Sequence, residues 1–266
     1  MHSFGGGYGR VTGIRGGLGS HIECVVILDN MELYEKLARG MEPVYSGQFS
    51  GLPGFKFIAG NYLDFNLALG VIPPYPAAVV EAVNELYLFG VRNFIFITRA
   101  YRLSRIRSKP LDHSMPVIVK AAVPLDSVTR RVVAEGVPLL PSKELYLSYL
   151  EASSRVEPSG EVPPEAISVT VDSPRLPWSY HELERYIGLR NVATADSVSA
   201  PLYALQYNYK INSLSIVIAV RTLGPGMKTL DTDVERAINI EGEEIDIANK
   251  AFLAAVEALK IFKNRS

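Results

Sequence analysis

One stretch, Tyr75–Thr98, sets out the fold most clearly; it reads YPAAVVEAVNELYLFGVRNFIFIT. Its first part carries apolar residues at the spacing of about 3.6 that is typical of an amphipathic helix. This pattern stops at Gly90, and glycine commonly ends helices. The run NFIFIT follows, and a continuous apolar run of this length is typical of a strand buried on both faces. The stretch therefore predicts a helix that leads into a buried strand.

The same alternation extends in both directions along the chain. Toward the N terminus, ECVVIL predicts a strand, MELYEKLARG a helix, and Pro43–Gly60 a hairpin. Toward the C terminus, PVIVKAAV, AISVTV and SLSIVIAV predict strands. Helices are predicted at SKELYLSYLEAS with Ser142 as its cap, at SYHELERYIG, at APLYALQYNYKI and at IDIANKAFLAAVEALKIF. This order predicts one α/β domain whose parallel or mixed sheet is flanked by helices.

Charge and hydropathy exclude several classes of function. The chain has 266 residues and a net charge of −1, so it has no general electrostatic attraction to nucleic acid or anionic membranes. No window reaches the roughly 18 apolar residues of a membrane span. The first twenty residues lack the apolar core of a signal peptide. We therefore expect a cytoplasmic protein that binds neither membranes nor nucleic acid.

The chain opens with a glycine-rich segment, MHSFGGGYGRVTGIRGGLGS. Its glycines match neither the Walker spacing nor the dinucleotide fingerprint, so a phosphate-binding loop is the weaker of two interpretations. We interpret residues 1–22 as an N-terminal arm that orders against a partner subunit, and residues 23–266 as the single domain.

Cysteine and glutamine usage point to the environment of the protein. The only cysteine, Cys24, lies in the apolar run CVVIL, which predicts a buried apolar side chain rather than a nucleophile. A single cysteine cannot form an intramolecular disulfide, which fits a reducing cytoplasm. Glutamine occurs only at Gln48 and Gln206, and a scarcity of thermolabile amides is typical of thermophilic proteins.

The ordered series of segments resembles the purine nucleoside and uridine phosphorylase superfamily. Tyr45–Thr98 is similar to the family's GxYxG hairpin, GxGxPSA turn, helix ending EL…LG and strand IRVGTSG. PVIVKAAVPLDSVTRRV and GLRNVATADSVSAPLYALQYN are similar to later family segments, so the resemblance extends over Cys24–Phe262. It implies a three-layer α/β/α fold whose mixed central sheet curls into a distorted barrel. It also implies a homo-oligomer, a trimer or hexamer, with sites near subunit interfaces.

The resemblance also implies a chemistry, cleavage of the N-glycosidic bond of a nucleoside by phosphate or water. That reaction needs donors that hold phosphate, a carboxylate on the ribose hydroxyls and an acid that protonates the leaving base. The implied ligand is a nucleoside or base, and the implied co-substrate is phosphate, with no other cofactor. His21, His113 and His181 lack metal-ligand spacing, so no metal site is predicted. The acidic stretch Asp231–Asp246 could hold a cation, but we interpret it as a solvated segment flanking a helix.

Few of the family's charged site residues are kept. The phosphate-binding GDPxR turn falls on Asp29–Leu33, where an acid replaces the glycine and a leucine replaces the arginine. The arginine of IRVGT falls near Phe96, and the ribose-binding ME pair falls on Ser197–Val198. The aspartate of the family's VSD strand falls on Thr222. Because the loss of one well-placed donor costs about 10²–10³ in rate, these replacements together predict the loss of ordinary phosphorolysis.

Two local segments supply the remaining candidates. RAYRLSRIRSK begins at Arg99 and follows the end of a strand, where open α/β sheets bind ligands. It is either an anion site or a basic loop that faces solvent or a neighbouring subunit. DSPRLPWSYHE holds the only tryptophan, which either stacks on a base or is buried in a proline-rich loop. The candidate site residues are Asp196 and Arg221 as catalytic groups, and Arg99, Trp178, Tyr180, Ser197 and Phe96 as ligand-binding groups.

Two functions follow from these candidates. The first is a divergent phosphorylase-like protein that binds a nucleoside, nucleobase or nucleotide-like ligand, and that as an enzyme cleaves the N-glycosidic bond by altered means. The alternative is a catalytically inactive scaffold or regulatory subunit of the same fold. A binding protein requires a polar cavity at Asp196, Arg99 and Arg221, whereas a scaffold has that space filled by Phe96 and Val198.

Overall fold

The computed structural model describes residues 22–103, 115–134, 137–157, 160–173, 183, 185–186, 192–223 and 234–265. Side chains are not described at 220–223 and 234–241. Several predictions therefore fall outside the described residues. They concern the N-terminal arm apart from Ile22, the part of the basic segment that follows Leu103, the aromatic residues Trp178 and Tyr180, and most of the helix predicted at SYHELERYIG.

Strands and helices alternate along the described chain. The strands are β1 Cys24–Leu28, β2 Glu42–Gln48, β3 Lys56–Tyr62, β4 Phe65–Val71, β5 Asn93–Leu103, β6 Val117–Pro124, β7 Glu165–Thr170, β8 Val192–Asp196 and β9 Asn212–Leu223. The helices are α1 Met31–Ala38, α2 Pro76–Leu88, α3 Lys143–Val156, α4 Ser199–Tyr209 and α5 Val234–Arg265, with a short 3-10 helix at Thr129–Arg131.

The strands form one mixed, nine-stranded sheet in the order β2-β3-β4-β1-β5-β8-β7-β6-β9. Strand β5 is parallel to β1 and β9 and antiparallel to β8. Because β9 pairs with both β6 and β5, the last five strands close into a barrel-like ring. The predicted mixed sheet that curls into a distorted barrel is confirmed.

Helices cover both faces of this sheet, because alternate side chains of the central strands belong to two apolar cores. Val25, Ile27 and Phe94 pack on one side with α2 and α4. Val26 and Ile95 pack on the other side with α1, α3 and α5. Burial of each large apolar side chain contributes about 1.5–3 kcal/mol, so the two cores hold the three layers together.

Some local predictions need correction. The helix predicted at IDIANKAFLAAVEALKIF begins earlier, at Val234, and β4 and β8 were not predicted as strands. Ser142 is the N-cap residue of α3 as predicted, but its side chain makes no capping bond. Its hydroxyl instead donates to Gln206 Oε1 and accepts from the Ser213 amide, because β9 and α4 lie beside it.

The side chain of Cys24 belongs to an apolar core, as the sequence predicted. Cys24 is buried in β1, and burial raises the pKa of its thiol to about 11, so the thiol stays protonated at neutral pH. Within the ranges described above, no helix combines the length and apolar character needed to cross a bilayer.

Candidate functional site

Asp196 ends β8, and both oxygens of its carboxylate accept hydrogen bonds. Its Oδ1 accepts bonds from Thr170 Oγ1 at 3.0 Å and from the amides of Val198 at 2.8 Å and Ser199 at 2.9 Å. Its Oδ2 accepts from Ser168 Oγ at 2.5 Å and from Ser199 Oγ at 2.7 Å. The residue is 1% exposed. Five donors from the protein therefore satisfy the carboxylate, and two of them are backbone amides at the N terminus of α4, whose N-cap residue is Val198.

The same bonds extend into a buried polar network between α4 and the strands β6, β7 and β9. Ser199 Oγ also contacts Ser215 Oγ at 2.8 Å, and the Ala200 amide donates to Thr170 Oγ1 at 3.0 Å. Tyr203 closes the network, because its hydroxyl donates to the Val119 carbonyl and accepts from the Ser215 amide. Buried polar groups with complete bonding rigidify their surroundings, so this network fixes α4 against β7 and β9.

A second polar cluster lies where β1 ends and its pairing with the parallel strand β5 stops, at Leu28 and Ile97. Strand β5 itself continues to Leu103, so the prediction that Arg99 follows the end of a strand is wrong. Asp29 Oδ2 accepts bonds from Arg99 Nε and from the Arg99 backbone amide, both at 3.0 Å. Arg99 Nη2 also donates to the Asp29 carbonyl at 3.3 Å. The Asp29 side chain is 4% exposed and that of Arg99 is 43% exposed. The arginine is thus oriented by a buried acid while part of its guanidinium faces solvent.

A second acid, Glu244, acts on this cluster through its charge. The Asp29 carboxylate raises the pKa of Arg99, partial burial opposes the rise, and Glu244 adds to it. Glu244 lies in α5 and is 5% exposed, so the interpretation of Asp231–Asp246 as a solvated stretch is wrong at this residue. Helical spacing could have indicated this, because Glu244 precedes the buried residues Ile247, Ala248 and Ala251 on one helix face.

Comparison with solved structures shows the same architecture over nearly the whole chain. Purine nucleoside phosphorylase from Toxoplasma gondii, in complex with immucillin-H, has a TM-score of 0.68 at 17% identity, over 92% of this chain and 93% of that chain. Uridine phosphorylase from Vibrio fischeri ES114, complexed with 6-hydroxy-1-naphthoic acid, has a TM-score of 0.71 at 14% identity, over 90% and 92%. This chain has the nucleoside phosphorylase fold. No protein-family model and no curated protein matches it.

The nucleoside phosphorylase fold positions the predicted site residues on several strands. Phe96 of β5 is 0% exposed and packs, with Val198, in the core beneath α2 and α4. Ser197 is buried directly after β8. Arg221 pairs through its backbone with Tyr101 in the β5–β9 ladder, while its side chain is outside the described atoms. The functional roles assigned to these residues stay predictions.

Asp126, after β6, is a buried acid of the phosphorylase fold that the sequence did not single out. Its Oδ1 accepts bonds from the amides of Val128 at 3.1 Å and Thr129 at 2.7 Å, whereas Oδ2 has no hydrogen-bond partner among the described residues. Burial raises the pKa of Asp126 and nearby Asp172 raises it further, while the bonds from Thr129 and Val128 lower it. In the parts of the chain that the structure describes, no group of three His, Cys, Asp or Glu side chains could hold a metal ion.

Asp126→Asn should stabilise the protein at neutral pH by about 1 kcal/mol, because a neutral amide is cheaper to bury than a charged carboxylate. A carboxyl whose pKa is raised on folding loses stability as pH rises from its unfolded pKa of about 3.9 through the folded value. The advantage of the variant should therefore be absent near pH 4 and complete above the raised pKa. Urea unfolding at pH 4.0, 5.5 and 7.5 measures this, and a pH-independent difference would contradict it.

Proposed function

We propose that this protein binds a nucleoside, nucleobase or nucleotide-like ligand at the carboxyl end of β1, beside Arg99 of β5. The observation that carries the proposal is Arg99, a cation held in place by buried Asp29 yet 43% exposed. Carboxyl ends of parallel strands are where open α/β sheets bind ligands. The Toxoplasma gondii and Vibrio fischeri phosphorylases, which share the fold, were solved in complex with immucillin-H and 6-hydroxy-1-naphthoic acid, which supports a small-molecule site.

The other predicted residues take supporting roles in this proposal. Arg221 is a second anion contact, Trp178 or Tyr180 is the stacking platform for a base, and Ser197 borders the ligand. Asp196 is a positioning residue, because its two oxygens already accept five bonds from the protein. A carboxylate that already accepts five bonds can bind a substrate only by giving up some of them, which include the bonds from the amides at the start of α4. If the protein is an enzyme, phosphate or water attacks the sugar, and Asp196 does not act as the catalytic acid.

A second function, a catalytically inactive scaffold or regulatory subunit, is favoured by a different observation. Phe96 and Val198 occupy the core at the positions where the family resemblance places an arginine and the ribose-binding glutamate. Apolar side chains there cannot hold phosphate or ribose hydroxyls. In this proposal the protein is retained for assembly into a trimer or hexamer, which light scattering coupled to size-exclusion chromatography would measure.

A ligand panel separates the two functions. A ligand present at 100 times its dissociation constant stabilises a protein by about 2.7 kcal/mol, which a thermal-shift measurement detects readily. We expect stabilisation by at least one nucleoside, base or nucleotide, and we expect Arg99→Gln to weaken that binding about tenfold or more by removing a charge-assisted bond. Arg39→Gln is the matched control, because Arg39 is exposed at the end of α1. Absence of any shift across the panel would refute the binding function and leave the scaffold.

Turnover needs its own assay. The purified protein is incubated with inosine, adenosine or uridine, with and without inorganic phosphate, and free base is measured by chromatography. Base release that requires phosphate would show ordinary phosphorolysis, whereas release without phosphate would show hydrolysis.

A further inference from the structure

The surroundings of the Asp29 carboxylate are those of a bound anion. One oxygen, Oδ2, accepts bonds from the Arg99 guanidinium and from the Arg99 backbone amide, both at 3.0 Å. A guanidinium and an oriented backbone N–H are the donors that proteins commonly present to phosphate and carboxylate groups. The Asp29 side chain is only 4% exposed although that of Arg99 is 43% exposed, so the carboxylate holds these donors from the protein side of the arginine.

A helix terminus completes these surroundings. Helix α1 begins two residues after Asp29, at Met31, and Asn30 caps it by accepting a bond from the Leu33 amide at 2.9 Å. The N terminus of a helix carries a partial positive charge that stabilises an adjacent anion. Arg99, its amide and the start of α1 therefore surround the Asp29 carboxylate with positive groups, which we call the Arg99 pocket, and the charge of Glu244 also acts on Arg99 from α5.

This chain has an aspartate at the position where the family resemblance predicts a glycine. The family resemblance places a glycine of the phosphate-binding turn at residue 29, and glycine has no side chain to enter the pocket. Aspartate at the same position supplies a carboxylate of fixed charge, attached to the end of β1. A free anion that approaches Arg99 must then displace this carboxylate or lie beside it, and like charges at contact distance repel.

We propose that Asp29 is a built-in anion that occupies the Arg99 pocket and thereby excludes phosphate, so that the site selects uncharged ligands such as a nucleoside or base over phosphorylated ones. The inference rests on the proposed function for the location of the site, and it narrows the ligand class. It also assigns Asp29 as the residue that determines specificity.

Removing the Asp29 carboxylate should create phosphate binding. Thermal shift and titration calorimetry with inorganic phosphate, in chloride buffer, are carried out on the wild type, Asp29→Ala and Asp29→Ala/Arg99→Gln. We expect phosphate to bind Asp29→Ala at least about tenfold more tightly than the wild type, since the guanidinium is freed. The double variant should lose this gain. Asp29→Ser replaces Asp29→Ala in the experiment if the alanine variant does not fold, because the serine hydroxyl can still accept a hydrogen bond from the Arg99 amide.

The control is a matched exposed ion pair. Glu35 lies 3.5 Å from Lys56 and both side chains are exposed, so Glu35→Ala also removes one carboxylate beside a cation. We expect no gain in phosphate binding from it. The inference is overturned if the Asp29 variants bind phosphate no better than the wild type, or if the gain persists without Arg99. These outcomes are independent of the nucleoside panel, which alone decides the proposed function.

Discussion

Asp196→Ala is expected to lower the free energy of unfolding by about 3–5 kcal/mol, the largest effect of any substitution considered for this protein. The truncation leaves the Thr170 and Ser168 hydroxyls and the amides of Val198 and Ser199 without their acceptor. All of these groups are buried, so water cannot replace the lost bonds without a local rearrangement.

Equilibrium unfolding in urea measures this loss, and Asp196→Asn is the matched control. The Asn amide oxygen can keep the three bonds to Oδ1, and the Ser168 and Ser199 hydroxyls can rotate to accept from its NH₂ group, so we expect a loss below about 1.5 kcal/mol. Because we assign Asp196 a positioning role, Asp196→Asn should bind ligand within about threefold of the wild type. A drop of 10² or more in turnover at unchanged stability would instead make Asp196 a catalytic acid or base.

Gly60→Ala should lower the free energy of unfolding by about 2–4 kcal/mol, because the new methyl group has no space. A Cβ at residue 60 would lie 2.1 Å from the Glu42 carbonyl oxygen and 3.0 Å from the Pro43 Cα. Both contacts are with backbone, which cannot swing aside as a side chain can. The register of β2 on β3 shifts immediately beyond this point, between Pro43 and Tyr45, so the substitution should separate the edge strand from the sheet.

Gly242→Ala is the control for Gly60→Ala. Gly242 lies in α5, and apart from the neighbouring backbone of the helix no described atom stands within 4 Å of the position its Cβ would take. Alanine in a helix interior is favoured over glycine by about 0.5–1 kcal/mol, so this variant should be slightly more stable than the wild type. Thermal and urea unfolding of the two variants should therefore give effects of opposite sign. An equal response from both would contradict the steric argument at Gly60.

Residues of the candidate site could be predicted from the sequence only in part. Arg99 was singled out because the predicted strand NFIFIT ends just before it, at a place where ligands often bind. Strand β5 in fact continues to Leu103, so Arg99 lies within it. The sequence showed only that Asp29 is an acid in place of the expected glycine. It did not show the pairing with Arg99, which lies 70 residues away along the chain. Glu244 was interpreted as solvated because the acidic residues around it resemble an exposed stretch. Charge alone does not tell which acid faces a core, since that depends on how the helix packs.

The order and type of most helices and strands could be predicted from the sequence alone, and this order gives the α/β fold. Apolar periodicity and glycine stops are local, so they survive in a single sequence and predict a strand such as NFIFIT or a helix such as α2. Folding alone brings Asp29 of the β1 end to Arg99, and it brings Asp196 to the hydroxyl groups of β7. The reason is physical. Charge pairing and hydrogen bonding depend on which strands become neighbours, and strand order brings together residues that no local pattern relates.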